Sequence, residues 1–195
     1  LFDLIDSRRI MPTANFRHTH FPSASSMNAH AYGERYRPKR TGCRGCHILC
    51  KRKGDQGRGP TLPEYETMSH FSALLENTDI ETVVQANALC NRLGLDTISA
   101  AVTLACYAEL REERLAPERI LHLLEETAFD RGEGRLLKEG SLRVARHYGV
   151  SVPAPAETDS VARGADDHPS MSVKGLELPA YDPRGVYGMA FAYAV

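Results

Sequence analysis

The sequence predicts a mainly α-helical fold, and two patterns between residues 77 and 150 support this prediction. Apolar residues recur there every three or four positions in four successive segments, which is the spacing of one buried helix face. Residues typical of helix starts and ends separate the segments, among them Gly94, Pro117 and Gly149. With 42% hydrophobic and 25% charged residues, the 195-residue chain can bury one core or two small ones.

Residues 1–40 are predicted to be mostly irregular. Pro12, Pro22 and Pro38 disfavour helix in the residue before each of them. Helix is therefore expected only at the very start of the chain and near residues 28–36.

The first strong helix is predicted from residue 77 to Gly94. Residues 78–81 form a capping box with Thr78 as the cap, and Gly94 followed by apolar Leu95 is typical of a Schellman helix end. Asp96, or the threonine after it, caps a second helix that runs to about residue 113.

A third helix over residues 117–127 has Pro117 in its first turn. A fourth is predicted over residues 136–148, continuing through Gly140 and ending before Gly149.

The remaining segments complete a three-part organisation. Residues 1–76 form an irregular, short-helical segment, and 77–150 form the helical domain. Residues 151–195 are a linker and an incomplete further domain. Within the last part, 151–170 lack periodicity, and 173–185 hold too many turn residues for a regular element.

Three cysteines, Cys43, Cys46 and Cys50, are spaced C-x2-C-x3-C. Gly42 and Gly45 permit tight turns there, so that three thiolates can face one metal centre. Structural zinc sites and iron–sulfur clusters normally have four protein ligands, so a fourth ligand must come from elsewhere.

The other two cysteines, Cys90 and Cys106, fall on apolar faces of predicted helices, where a free thiol behaves as a small hydrophobe. We predict that both are core residues rather than ligands.

An odd number of cysteines without a disulfide pattern favours a reducing compartment. No apolar run approaches the roughly 20 residues needed to span a bilayer, and the start has no signal-peptide pattern. A cytoplasmic protein without membrane attachment is therefore expected.

The net charge of −1 hides an asymmetry, because residues 1–60 carry +8 and the remainder carries −9. Much of the positive charge surrounds the three close cysteines. It can offset the negative charge of a thiolate-bound cluster, attract an acidic partner, or belong to a solvated loop. Nucleic-acid binding is disfavoured because the segment has few stacking aromatics and no known nucleic-acid motif follows.

Two further features suggest chemistry. Glu64 and Glu66 flank Tyr65 just after the cysteines, and a carboxylate near a metal centre can act as general base; the alternative is a pair of exposed loop glutamates. The next helix starts beside the bend at Gly94, near Asp96. The free N–H groups of that helix start can bind a polar or anionic cofactor.

Several motifs together carry a resemblance that runs nearly from end to end. They lie at residues 12–16, 43–50, 63–66, 89–99 and 177–185. In these stretches the chain resembles the tungsten-containing aldehyde:ferredoxin oxidoreductases.

The resemblance implies helical domains of that family's type, truncated at both ends. It also implies a tungsten (or molybdenum) bis-pterin centre beside a [4Fe–4S] cluster, with an aldehyde as substrate and ferredoxin as electron acceptor. A homodimer is one oligomeric state that it allows for the full-length protein. Cys43, Cys46 and Cys50 would be three cluster ligands, and Glu66 would be the acidic residue beside the metal.

The pterin-binding turn would comprise Asn91, Gly94, Leu95 and Asp96, with Asn91 standing where the family has Asp. A different class stays open beside this one: a zinc- or Fe–S-stabilised interaction protein that uses its basic segment and has no redox turnover.

Overall fold

The computed structural model describes residues 1–150 and the two short strands Ser172–Val173 and Leu176–Glu177. The predicted loop over 151–170 lies outside the described residues. The prediction that 173–185 contain no regular element was wrong at its start, because the two strands pair antiparallel with Val173 opposite Leu176. Only two residues separate the strands in sequence, and turn-forming residues between strands are compatible with a hairpin.

The described part of the chain is predominantly helical, which confirms the predicted fold class. The helices are α1 Phe2–Ser7, α2 Ala29–Tyr36, α3 Gly54–Gly57, α4 Tyr65–Phe71, α5 Ile80–Leu93, α6 Thr97–Leu110, α7 Pro117–Ala128, α8 Gly134–Leu137 and α9 Ser141–His147. The strands are β1 Lys39–Thr41, β2 Lys51–Lys53, β3 Ser172–Val173 and β4 Leu176–Glu177. The positions of α1 and α2 confirm the two helices expected in the first 40 residues.

Helix α5 ends as predicted but begins one residue later than the capping box indicated. The cap is Asp79 rather than Thr78, because the Asp79 carboxylate accepts the N–H groups of Glu81 and Thr82. Burial raises the pKa of the Asp79 carboxyl, but the hydrogen bonds from Thr82 and Glu81 outweigh burial. The pKa of Asp79 therefore lies below its ordinary value. At the other end, the N–H of Leu95 donates to the Cys90 carbonyl at 2.9 Å, the bond that defines a Schellman motif.

Helix α7 matches its prediction to within one residue, whereas α6 and the predicted fourth helix differ. Helix α6 ends at Leu110 rather than near residue 113. The predicted fourth helix is two helices, α8 and α9, because Gly140 adopts φ +83° between them. Such a left-handed backbone conformation interrupts a right-handed helix.

One buried apolar cluster joins α1, α4, α5, α6, α7 and α9. Phe2, Phe71 and Val144 belong to it, as do Cys90 and Cys106. Both cysteines are fully buried, which confirms the prediction that they are core residues. The cluster includes residues from both sides of position 76, and a domain division at that position stays a prediction.

No single helix in residues 1–150 is long and apolar enough to cross a membrane. Helices α5 and α6 reach that length and composition only when they are taken together, and the chain bends by 119° at the break between them.

Candidate functional site

The three close cysteines lie on one loop, residues 42–50, which joins the paired strands β1 and β2. The N–H of Cys46 donates to the Cys43 carbonyl at 3.0 Å and closes a turn. Cys43 and Cys50 are exposed, and Cys46 is half-buried. We call residues 42–50 the cysteine loop.

Glycine permits the tight folding of the cysteine loop. A Cβ atom on Gly42 would lie 3.0 Å from the Cα atom of Leu49, so a side chain at residue 42 would crowd the other end of the loop. Gly45 has φ +78°, a conformation that costs glycine little. Both observations agree with the turn that the sequence predicts here.

Two of the surrounding arginines hold the backbone of the cysteine loop. Arg40 donates to the Ile48 carbonyl at 3.4 Å. Arg52 Nη1 donates to the carbonyls of Leu49 at 3.3 Å and Cys50 at 3.4 Å. Within the residues that the structure describes, no three His, Cys, Asp or Glu side chains are gathered as a metal-binding group. The ligand roles of the three cysteines therefore stay predictions.

A cavity of about 340 Å³ lies beside the cysteine loop, between α4, α5 and the start of α6. Glu66 and Asn91 both line it. Lys51, the residue that follows Cys50, lines it as well. The structure thus brings two of the predicted site residues together and places them next to the segment that carries the third cysteine. We call this space the polar cavity.

A chain of amide hydrogen bonds fixes the wall of the polar cavity on α5. Asn87 is buried, and its Nδ2 donates to the Thr61 carbonyl at 3.2 Å. The Nδ2 of Asn91 donates to the backbone carbonyl of Asn87 at 2.7 Å and to Asn87 Oδ1 at 3.1 Å. Because a backbone carbonyl can only accept, both side-chain amides have one satisfactory orientation.

The opposite wall joins α4 to the start of α6. The hydroxyl oxygens of Thr67 and Thr97 lie 2.9 Å apart and share a hydrogen bond. Glu66 occupies the first turn of α4, and its backbone carbonyl accepts from His70 Nδ1 at 2.8 Å. His70 is fully buried, so this bond holds the helix turn that carries Glu66.

The predicted turn between α5 and α6 has the expected local geometry. Gly94 has φ +73°. Asp96 caps α6, because its carboxylate accepts the Ser99 N–H at 2.8 Å. Gly94, Leu95 and Asp96 do not line the polar cavity, whereas Thr97, the next residue, does. The turn is therefore adjacent to the space that Glu66 and Asn91 share.

Sequence reasoning missed four residues that help form the polar cavity: Lys51, Thr67, Asn87 and Thr97. Asn87 had a usable signal, because it lies four residues before Asn91 and so falls on the same face of a helix. The threonine pair had none, since its members are 30 positions apart in sequence.

The fold and the site define a helical protein that presents a polar cavity beside a loop of thiols. The family model described as aldehyde ferredoxin oxidoreductase, domains 2 and 3, matches residues 1–195, and the chain belongs to this family.

Curated relatives agree with that assignment. The chain is 34% identical over 216 residues to the tungsten-containing aldehyde ferredoxin oxidoreductase of Pyrococcus furiosus, and 34% identical over 216 residues to that of Thermococcus kodakarensis. It is 31% identical over 197 residues to the enzyme of the same name from Pyrococcus abyssi. In each comparison the whole chain is covered, and it spans 32% of the length of the relative.

Proposed function

We propose that this chain supplies part of an active site that oxidises aldehydes to carboxylic acids and passes the electrons to ferredoxin. The observation that carries the proposal is the polar cavity shared by Glu66 and Asn91, which adjoins the cysteine loop. The relatives' names describe enzymes that contain tungsten and act with aldehyde and ferredoxin. Because the chain spans about a third of their length, the whole reaction would require further parts of the protein.

The donor set of the cysteine loop fits three positions of a [4Fe–4S] cluster. Cys43, Cys46 and Cys50 are all on one loop whose two ends meet at Gly42 and Leu49. Arg52 lies against the Cys50 carbonyl, so its positive charge can offset the negative charge of the thiolates. The chain's other two thiols are buried in α5 and α6, and a fourth ligand would lie outside this chain.

The polar cavity and the adjacent turn fit one wall of a pterin site. Asn91 lines the cavity with an amide whose nitrogen is already bonded, which leaves its oxygen to accept a hydrogen bond. Gly94, Leu95 and Asp96 would hold the cofactor edge through the turn that starts α6. When bound, a tungsten (or molybdenum) bis-pterin centre would accept the electron pair of the aldehyde, and the cluster would carry the electrons onward.

Glu66 would take a proton from the attacking water. Its position in the first turn of α4 is held by the bond between its carbonyl and buried His70. A carboxylate beside a bound substrate can supply general base catalysis. Glu64 lines the same cavity but is exposed, so it serves as the natural comparison for Glu66.

The test is anaerobic expression of the complete reading frame that contains this chain, with tungstate and iron supplied. We expect purified protein to contain tungsten, iron and a broad absorbance near ~400 nm, and to reduce a viologen dye only when aldehyde is added. Zinc in place of iron, no visible absorbance and no dye reduction would instead support the interaction protein.

A further inference from the structure

A second cavity lies apart from the polar cavity and has a basic lining. It measures about 620 Å³ and is bordered by the end of α1, the loop over residues 13–23, and the segments before α5 and after α6. Its lining residues include Arg9, Arg17, His18, His20, Glu76 and Arg114. We propose that this basic groove binds a small organic phosphate.

The three arginines of the basic groove have little carboxylate pairing. Among the described residues, no carboxylate lies within ion-pair distance of Arg9 or Arg114. Arg17 Nε lies 3.9 Å from Glu109 Oε1, a long contact on a half-exposed side chain. Glu76 is the carboxylate residue that lines the groove itself. Three guanidinium groups that line one space favour a bound anion.

Arg114 is positioned at the edge of the groove. Its Nη2 donates to the backbone carbonyl of Glu76, which joins the segment after α6 to the segment before α5. A guanidinium has five N–H donors, so this bond leaves others for a ligand. Binding would therefore not require Arg114 to be reordered first.

The loop that presents Arg17 and His18 is firmly anchored. Thr13 and His18 exchange backbone hydrogen bonds of 3.0 and 3.1 Å. The N–H groups of Ala14 and Asn15 donate to the carbonyls of residues 73 and 74 at 3.1 and 3.0 Å. The backbone that carries Arg17 and His18 is thus fixed before a ligand arrives, which reduces the entropic cost of binding.

His20 is oriented by a buried carboxylate behind it. Its Nδ1 lies 2.9 Å from Asp6 Oδ2, and Asp6 also accepts the Phe21 N–H at 2.7 Å. With Nδ1 held by Asp6, the Nε2 atom is the ring nitrogen available to a ligand in the groove.

The arrangement suits a phosphate better than a carboxylate. Arginines reach the groove from three separate segments, and Ser23 and Thr78 add hydroxyl groups from two sides. A phosphate monoester has three terminal oxygens and nearly two negative charges, whereas a carboxylate can be satisfied by a single arginine. The volume exceeds that needed for inorganic phosphate and lies in the range typical of small-molecule sites, about 300–1,000 Å³.

Isothermal titration calorimetry of the 195-residue chain with glucose 6-phosphate, at about 0.1 M salt, tests the proposal. We expect saturable binding that is weaker for inorganic phosphate and absent for glucose. Arg9→Gln and Arg114→Gln should each weaken binding roughly tenfold. Arg143→Gln is the matched control, because Arg143 is an exposed arginine on α9 outside the groove, and it should leave binding unchanged.

Circular dichroism would establish that each variant is folded before titration. No saturable heat with the phosphate, or unchanged binding in both groove variants, would overturn the proposal. Citrate binding as tightly as glucose 6-phosphate would also overturn it, because the groove would then recognise negative charge and not phosphate. These results are independent of the aldehyde chemistry proposed for the polar cavity.

Discussion

Asn91 donates its side-chain amide to the backbone carbonyl of Asn87 at 2.7 Å, one turn earlier on α5. This bond commits the nitrogen of Asn91 and leaves the oxygen as its acceptor. Asn87 is itself committed, because it donates to the Thr61 carbonyl. An acceptor therefore remains at the position where the resemblance places an Asp in the family, although the negative charge is lost.

Replacing Asn87 with leucine should make the Asn91 side chain more mobile, because leucine has nearly the shape of asparagine but cannot form its hydrogen bonds. The substitution removes the hydrogen bond to the Thr61 carbonyl, so we expect a loss of about 0.5–1.5 kcal/mol in the free energy of unfolding. Denaturant titration measures this loss, and the Asn91 side-chain NH₂ signals in a ¹⁵N spectrum should shift. Gln85→Ala, at an exposed position on the same helix, is the control and should change stability little. Equal stability of the two variants would contradict the proposed role of Asn87.

Glu66→Gln should reduce aldehyde oxidation by the full-length enzyme about 100-fold or more, the loss expected for a missing general base. Tungsten and iron contents should not change, because the residue is not a proposed ligand. Glu64→Gln is the comparison, since Glu64 lines the same cavity without capping α4 by its side chain. An unchanged kcat in the Glu66 variant with full metal content would exclude Glu66 as the base.

Asp96→Ala should lower tungsten content before it lowers iron content. The change removes the cap on the Ser99 N–H, which costs about 1 kcal/mol of stability, and it disturbs the turn that would hold the pterin. Asp79→Ala is a matched control, because Asp79 caps another helix of 14 residues, α5. Elemental analysis should show normal tungsten in the Asp79 variant. Lost iron with normal tungsten in the Asp96 variant would reverse the assignment.

The helices from α5 to α7 were predictable because their start and end signals are local. Gly94, Asp96 and Pro117 each act within one helical turn, and the structure shows all three in the expected roles. The break between α8 and α9 was missed because apolar spacing continues across Gly140, while the backbone there is left-handed.

The polar cavity was only partly predictable. Glu66 and Asn91 were proposed from separate motifs, and their approach across α4 and α5 depends on packing that no local pattern contains. Thr67 and Thr97 illustrate the same limit, because only the folded chain brings their hydroxyl groups together. The basic groove combines residues from four segments, and its three arginines lie outside every motif that the sequence analysis identified.

The contact between α2 and α5 should weaken in acid. The Tyr36 hydroxyl donates a hydrogen bond of 2.7 Å to the Glu81 carboxylate and lowers its pKa. Arg35 also lowers this pKa, whereas burial raises it but does not outweigh the two hydrogen bonds. A lowered folded-state pKa contributes stability above the unfolded value, about 4.3, and the contribution is lost as pH falls through the folded value. Tyr36→Phe should therefore lower the thermal midpoint at pH 7, and the difference from wild type should shrink below about pH 4.

Tyr32→Phe provides the control for that experiment. The Tyr32 hydroxyl is buried and has no hydrogen-bond partner in the described part of the chain, so its removal should not destabilise the protein at either pH. A Tyr36 difference that stays constant from pH 7 to pH 3 would show that Glu81 ionisation is not involved.

The 195-residue chain alone should not retain a [4Fe–4S] cluster. The cysteine loop supplies three thiols, and the two remaining cysteines cannot readily supply a fourth. Cys90 and Cys106 are fully buried in the core, and burial raises the pKa of the Cys90 thiol to about 12. A thiol must lose its proton to bind iron, so ligation by Cys90 would require both unpacking of α5 and ionisation.

Anaerobic reconstitution with iron and sulfide, followed by desalting and iron analysis, measures this retention. We expect iron to be lost on desalting and no aldehyde-dependent reduction of a viologen dye. Cys90→Ser should take up the same initial amount of iron as the unchanged chain, whereas Cys46→Ser should take up less. About four irons per chain that survive desalting would show that a residue of this chain completes the cluster. Loss of that iron in Cys90→Ser would identify Cys90 as the fourth ligand.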